Sequence, residues 1–304
     1  MARGDGKMPL VSVVVITYNS SKYVLETLES IKGQTYSKIE LVISDDCSTD
    51  ETVSICREWI QDNKRRFVRT KIVEFHRNTG VAPNCNRGLH ASSGEWLKII
   101  AGDDLLLAEA LDDFIAFVNE STKRLVVVSD LLFFHGKSGL FSVSPGNNEM
   151  SAESQLKDLL LVDASIVPSI GPSGFLNKNL MDLVGGFDES YPMIEDFPLS
   201  IRLLDHGFKI YALNKPCVKY RINKGSISTG SGFSQKFIEM YRICGIPVLR
   251  RRRMYLVLWH WKVREFINTR AHGIIRYSVF RYIIKMTSPY AWFIYLRKRK
   301  ADFR

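Results

Sequence analysis

Glu95-Trp-Leu-Lys-Ile-Ile-Ala-Gly-Asp-Asp104 decides how the rest of the chain is read: an apolar run that ends in a glycine and two adjacent carboxylates. Residues 96–101 are few and mostly apolar, which fits a strand buried on both faces, and Gly102 lets the backbone turn before Asp103 and Asp104. In open α/β sheets, ligands collect at the carboxyl ends of strands. A lone Asp-Asp pair is more often a solvated turn, so its neighbours must decide.

Upstream, strand, loop and helix recur. Val11–Ile16 is a β-branched run, Thr17-Tyr-Asn-Ser-Ser21 a polar break, and Tyr23–Ile31 has helical spacing. Ile39–Ser44 reads as a second strand, Asp45–Asp50 as a loop, and Glu51–Ile60 as a helix capped by Ser48 or Asp50. Thr70–Phe75 is a third strand, Asn78-Thr-Gly80 a turn, and Pro83–Ala91 a helix leading into the opening stretch. Strands alternating with helices at this spacing predict an α/β fold, a Rossmann-like and mostly parallel sheet with flanking helices.

Downstream, a helix is expected over Leu107–Asn119 and a strand over Arg124–Ser129. Phe134–Asn148 reads as a loop or short antiparallel pair and Ala152–Leu161 as a helix. Gly171-Pro-Ser-Gly174 breaks the chain before a short apolar piece and a helix over Asn177–Val184, which Gly185-Gly186 caps. Ile194–Leu204 is helical, and Phe208–Leu213 and Val218–Arg221 read as two strands. Beyond Gly230 the composition changes. The expected division is a catalytic domain over residues 1–230 and a basic, aromatic-rich helical region over 231–304.

The charge follows that division. Of the net +10 on 304 residues, residues 242–304 carry +14, with only Glu265 and Asp302 opposing sixteen Lys and Arg. Such a tail suits an anionic partner, a membrane surface or a nucleic acid. No window offers the roughly 18 to 20 uncharged apolar residues of a spanning helix. The five cysteines are scattered without Cys-x-x-Cys spacing, which argues against a disulfide framework or a zinc site. No apolar leader precedes Val11, and a reducing cytoplasm is the expected compartment.

Four acidic pairs follow strands or open helices: Asp45/Asp46, Asp103/Asp104, Asp188/Glu189 and Glu195/Asp196. The first two end strands of one expected sheet, so their carboxylates should converge on one edge. Carboxylates sharing a cleft repel one another unless a divalent metal, a hydroxyl-rich ligand or a shifted pKa accommodates them.

Thr17-Tyr18-Asn19, Ser44-Asp-Asp-Cys-Ser-Thr-Asp50, Asn78-x-Gly80 with Asn86-x-Gly88, Gly94-Glu95, Asp103-Asp104, Gly186-Phe-Asp-Glu189 and Glu195-Asp196 with Arg202 resemble, in order and spacing, the family 2 inverting glycosyltransferases. Each motif is weak alone; the ordered set over residues 10–222 is specific. The resemblance implies a GT-A fold, a nucleotide-sugar donor, UDP-linked, and Mn²⁺ or Mg²⁺. It implies that Asp45 and Asp46 accept from the base, that Thr17, Tyr18, Asn19 and Asn86 line the nucleotide-sugar site, that Asp103 contacts the ribose, and that Asp104 holds the metal. It also implies that Asp196 takes the proton of the acceptor hydroxyl, while Glu195 orients the acceptor or nearby backbone. The bland readings are turn capping for Asp45 and Asn19 and a favourable acidic helix start for Glu195 and Asp196.

Two departures matter. Asn84-Cys85-Asn86 stands where the family often has Ala-Arg-Asn, which leaves Arg87 as the candidate basic contact. Asn223, in Tyr220-Arg-Ile-Asn-Lys-Gly-Ser226, stands where the family often has a histidine. In the tail, Arg250–Arg253 followed by Tyr255, Trp259, Trp261 and further rings suits an anionic membrane surface at the inner face of the cytoplasmic membrane. Packing of those rings on the catalytic domain is the alternative. The expected acceptor is a glycan or lipid-linked glycan in O-antigen or capsule synthesis. The alternatives are a non-catalytic nucleotide-sugar binder and a nucleic-acid binder. Nucleic acid is not expected, since acidic clefts repel phosphate backbones.

Overall fold

The computed structural model describes residues 8–134, 139–141, 148–161, 170–222, 241–255, 258–259 and 262. The chain divides into two compact units, Met1–Phe233 and Ser234–Arg304. The first is built on one mixed sheet.

Three apolar runs make its centre. β1 (Val11–Thr17), β2 (Ile39–Asp45) and β4 (Trp96–Ala101) are buried along almost their whole length, as strands covered on both faces must be. With β3 (Arg69–Glu74) at the edge, these four are parallel, in the order β3-β2-β1-β4. Helices α1 (Val24–Lys32), α2 (Thr52–Asn63) and α3 (Val81–Ala91) connect them. Asp50, one of the two expected caps, accepts from Thr52 N at 3.1 Å at the start of α2.

The second half departs from the expected parallel pattern. A short strand, β5 (Leu105–Leu106), precedes the expected helix, which opens three residues later than expected as α4 (Ala110–Asn119). β6 (Val126–Phe134) runs five residues past its expected end and pairs antiparallel with the short β7 (Gly139–Phe141). After α5 (Ala152–Leu161), the expected break at residues 171–174 holds a helical turn, α6 (Ile170–Ser173). The apolar piece after it is β8 (Gly174–Asn177), wedged antiparallel between β4 and β6. Asn177 then caps α7 (Lys178–Leu183), accepting from Leu180 N at 3.1 Å.

The two strands expected near 208–221 are one, β9 (Tyr211–Arg221), parallel to β6 and antiparallel to β5. Pro216 has no N–H for a ladder, and the register shifts where it faces Asp130, so a local irregularity absorbs it without ending the strand. The path is therefore β3-β2-β1-β4-β8-β6-β9-β5, parallel on one side and mixed on the other. Trp96, Phe175 and Phe114 stack in series in its core, with centroids 5.1 and 4.8 Å apart.

In the second unit the described residues include α9 (Ile246–Arg251). Arg250–Arg253, Tyr255 and Trp259 are exposed. No helix among the described residues is long and apolar enough to cross a membrane. Most of the basic, aromatic-rich helical region expected over 231–304 lies outside the described residues.

Candidate functional site

Parallel pairing fixes the site before any side chain is considered. Thr17 stands opposite Asp45, and Ile16 stands opposite both Ser44 and Ala101, so β1, β2 and β4 end level with one another. The Thr17–Asn19, Asp45–Asp46 and Asp103–Asp104 corners thus share one edge, as strand order and ligand placement in α/β sheets require. Gly102 makes the fit possible: a Cβ there would lie 2.9 Å from Thr17 Cγ2.

Within that edge the polar groups bind one another. Thr17 Oγ1 donates to Asp45 Oδ1 at 2.8 Å, and Ser48 donates to Asp45 through its amide at 2.8 Å and its hydroxyl at 2.6 Å. Asn19, at φ 49°, accepts through Oδ1 from Thr49 N at 2.8 Å, and its own N–H donates to Ser48 Oγ at 2.8 Å. These contacts lace the loop after β1 to the loop after β2, the capping role that the residue types also allow. Tyr18 projects outward, 49% exposed.

Asp46 is 2% exposed and collects donors from the turn before α3: Thr79 N, Thr79 Oγ1 at 2.8 Å and Gly80 N at 2.7 Å. Arg87 completes the shell with an ion pair to Asp46 and a bond to Thr79 Oγ1 at 2.8 Å, its guanidinium 4.5 Å over the Phe75 ring. Its charge offsets that of Asp46. Asn86 is committed to the turn after α7: Nδ2 donates to Phe187 O at 2.9 Å and Glu189 Oε1 at 2.7 Å, and Oδ1 accepts from Phe187 N at 2.8 Å.

Asp104 is 1% exposed, and its two oxygens differ. Oδ1 accepts the Arg221 N–H at 2.8 Å, whereas Oδ2 is buried without a hydrogen-bond partner. Burial, then the charge of Asp103, push its carboxyl well above the ordinary range, against the opposing pull of the Arg221 N–H, Lys98 and the Arg221 guanidinium. Arg221, 2% exposed, also donates from Nε to Asp103 O at 2.7 Å and from Nη2 to Glu26 at 2.8 Å, its guanidinium lying between the Tyr23 and Phe134 rings. Sequence reading placed Arg221 only as the end of a strand. Its role depends on a pairing across 117 residues that no local pattern carries.

Lys98 is a second buried cation that the sequence did not single out. Its Nζ donates to Pro172 O at 2.6 Å and Gly174 O at 3.1 Å, and burial pulls its pKa down to about 8.

Glu195 and Asp196 open α8 (Asp196–Asp205), two residues later than the expected helix start. Asp196 Oδ1 accepts from Phe197 N at 2.8 Å. Burial, with the negative charge of Asp196 added, pushes Glu195 up to about 8, so it keeps its proton at neutral pH. Burial drives the Cys85 thiol of α3 well above its usual range, with the neighbouring Glu195 and Asp196 adding to it against the pull of Arg87. Arg202, expected with this pair, donates instead to Gly186 O behind it.

Among the described residues no group of three or more His, Cys, Asp or Glu is placed to hold a metal ion by itself. The orphaned Oδ2 of Asp104 nevertheless fits a hard divalent cation, which binds through one or two carboxylates and completes its shell with substrate phosphates.

The chain is similar to known proteins in sequence and in fold. The model of glycosyl transferase family 2 matches residues 12–157. Over 228 residues the chain is 31% identical to the putative glycosyltransferase EpsE of Bacillus subtilis, spanning 70% of this chain and 73% of EpsE. Over 242 residues it is 26% identical to the Escherichia coli UDP-Glc:alpha-D-GlcNAc-diphosphoundecaprenol beta-1,3-glucosyltransferase WfaP, spanning 77% of this chain and 84% of WfaP. In fold it is similar to S. aureus TarS 1-349, whose crystal structure is a complex with UDP-GlcNAc, with a TM-score of 0.67, 21% identity, and coverage of 88% of this chain and 77% of that one. The GT-A sheet expected from the motifs is the sheet observed, and the chain belongs to glycosyl transferase family 2.

Proposed function

We propose that this chain transfers a hexose or N-acetylhexosamine, with inversion, from a UDP-sugar to a glycan or polyprenyl-diphosphate-linked acceptor in cell-surface polysaccharide synthesis. The observation that carries the reading is the level end of β1, β2 and β4, which sets Asp45, Asp46, Asp103 and Asp104 on one sheet edge with Asp104 Oδ2 buried and without a hydrogen-bond partner; Asp196 is assigned the base. An inverting displacement needs one base, on the face of the sugar away from the leaving diphosphate, within reach of the acceptor hydroxyl.

In this reading the nucleotide lies along the level edge of β1, β2 and β4. Asp45 and Asp46 face the base, Thr17, Tyr18 and Asn19 form the floor, and Asp103 meets the ribose. Asp104 would hold Mn²⁺ or Mg²⁺ through Oδ2, and the cation when bound would offset the charge growing on the leaving diphosphate. Glu195, neutral, is suited to donate a hydrogen bond to the acceptor. The UDP-glucose donor and diphosphoundecaprenol acceptor named for WfaP, and the UDP-GlcNAc bound by TarS, support the substrate class.

A basic surface on the Ser234–Arg304 unit suits an enzyme whose acceptor is lipid-linked, and we place it at the inner face of the cytoplasmic membrane. The exposed Arg250–Arg253, Tyr255 and Trp259 supply charge and ring edges for an anionic surface.

The test is UDP release from UDP-glucose, UDP-N-acetylglucosamine and UDP-galactose with Mn²⁺, with and without polyprenyl-diphosphate-linked N-acetylglucosamine, the anomeric configuration of the product being read by NMR. Acceptor-dependent release with inversion is expected. UDP binding without transfer from any donor would leave a non-catalytic binder, and co-sedimentation with anionic liposomes unchanged on deleting residues 250–304 would remove the membrane role of the tail.

A further inference from the structure

Helix α3 touches both halves of the site. At its N-terminal end, Asp46 of the donor edge holds the amides of Thr79 and Gly80. Gly80, at φ 97°, lies flat against Pro192: a Cβ on it would stand 2.5 Å from Pro192 O, and Ala82 N donates to that same carbonyl at 3.1 Å. Pro192 precedes Glu195 by three residues.

One turn and a half along α3, Asn86 grips the other end of the same segment. Its amide brackets Phe187 through both backbone groups and reaches Glu189. Gly186, at φ 68°, is shaped to this contact, since a Cβ there would lie 2.5 Å from Asn86 Oδ1. The stretch 186–192 that delivers the chain to Glu195 and Asp196 is thus held by α3 at both ends. The first turn of α3 is in turn fastened to the donor edge by Asp46 and Arg87.

We infer that Gly80 and Asn86 are positioning residues that set the distance between the Glu195–Asp196 pair and the donor edge, by clamping residues 186–192 to α3. Neither acts on the sugar directly: Gly80 has no side chain, and both Nδ2 hydrogens of Asn86 are committed within the protein. A base displaced by about 1 Å loses on the order of a hundredfold in rate, so a clamp of this kind acts on turnover more than on donor affinity. The inference rests on Asp196 being the base.

The experiment compares Gly80→Ala, Asn86→Ala and Asp196→Asn with the full wild-type chain. Three quantities are read: UDP affinity with Mn²⁺ by calorimetry, kcat for UDP release with acceptor, and amide hydrogen exchange. For Gly80→Ala and Asn86→Ala the expected result is a UDP Kd within about twofold of wild type and a kcat at least about tenfold lower. Peptides over 186–196 should exchange at least about tenfold faster, with peptides over 39–46 and 96–104 unchanged. Normal kcat or unchanged exchange over 186–196 in both clamp variants, with Asp196→Asn inactive, would overturn the inference. So would faster exchange over the central strands as well, the mark of a merely structural role. Full turnover by Asp196→Asn would instead refute the reading on which the clamp rests.

Discussion

The backbone N–H of Arg221 donates to Asp104 Oδ1 at 2.8 Å and leaves the buried Oδ2 of the same carboxylate without a protein partner. One oxygen is therefore fixed by the fold and the other is left buried without a hydrogen bond. Asp104→Asn keeps the shape and removes the charge. UDP affinity in Mn²⁺ should fall at least about tenfold, about 1.4 kcal/mol, while affinity in EDTA stays as it was. Calorimetry with and without Mn²⁺ decides it, and an undiminished gain from Mn²⁺ in the variant would free Asp104 of the metal role.

Asp196→Asn should fold and bind UDP normally, since the Phe197 N–H it caps finds an equivalent oxygen in the amide. Loss of a general base costs about 10²- to 10⁴-fold in turnover, and kcat should fall within that range with Kd for UDP unchanged. Turnover within a few fold of wild type would assign the proton to another group.

Glu195 is protonated in the fold up to about pH 8 and, at its ordinary value of 4.5, would be ionised in the unfolded chain well below that. Between these limits the folded state binds more protons than the unfolded one, so this group makes stability fall as pH rises from 4.5 to 8 and contributes no slope on either side. Glu195→Gln has no such proton. Its stability should match wild type near about pH 4 and exceed it by a margin that grows to about pH 8. Urea midpoints measured at both ends check the sign; equal midpoints throughout would show that Glu195 ionises normally.

Gly88 packs α3 directly on β1, where a Cβ would lie 2.3 Å from Val14 Cγ1. Val14 is fully buried and cannot yield without disturbing the sheet centre. Gly88→Ala should therefore destabilise by about 1–3 kcal/mol despite the better helix propensity of alanine. A melting temperature equal to or above that of wild type would show that the helix lifts off the strand at no cost.

What was legible in the sequence and what was not divide along a physical line. β1, β2 and β4 were readable because each is buried on both faces and so must be an unbroken apolar run, and the corners that follow them were readable because parallel strands must end together. Asp45, Asp46, Asp103 and Asp104 came from that rule alone; their roles toward a nucleotide came from the order of motifs across the chain. The second half was harder. β8 is four residues long and pairs with strands on both sides from distant parts of the chain, and Pro216 made one strand look like two.

The sequence by itself determined that this is an α/β protein of glycosyl transferase family 2 with acidic corners at one sheet edge, since those features rest on local burial patterns and on residue types at fixed spacing. Only the tertiary structure decided how those groups are used. It gave Asp104 one satisfied and one orphaned oxygen, held Glu195 neutral beside Asp196, and spent the amide of Asn86 on residues 187 and 189. Each of these depends on which distant segment supplies a donor, a charge or a wall of protein in place of water, and such neighbours exist only once the chain has folded.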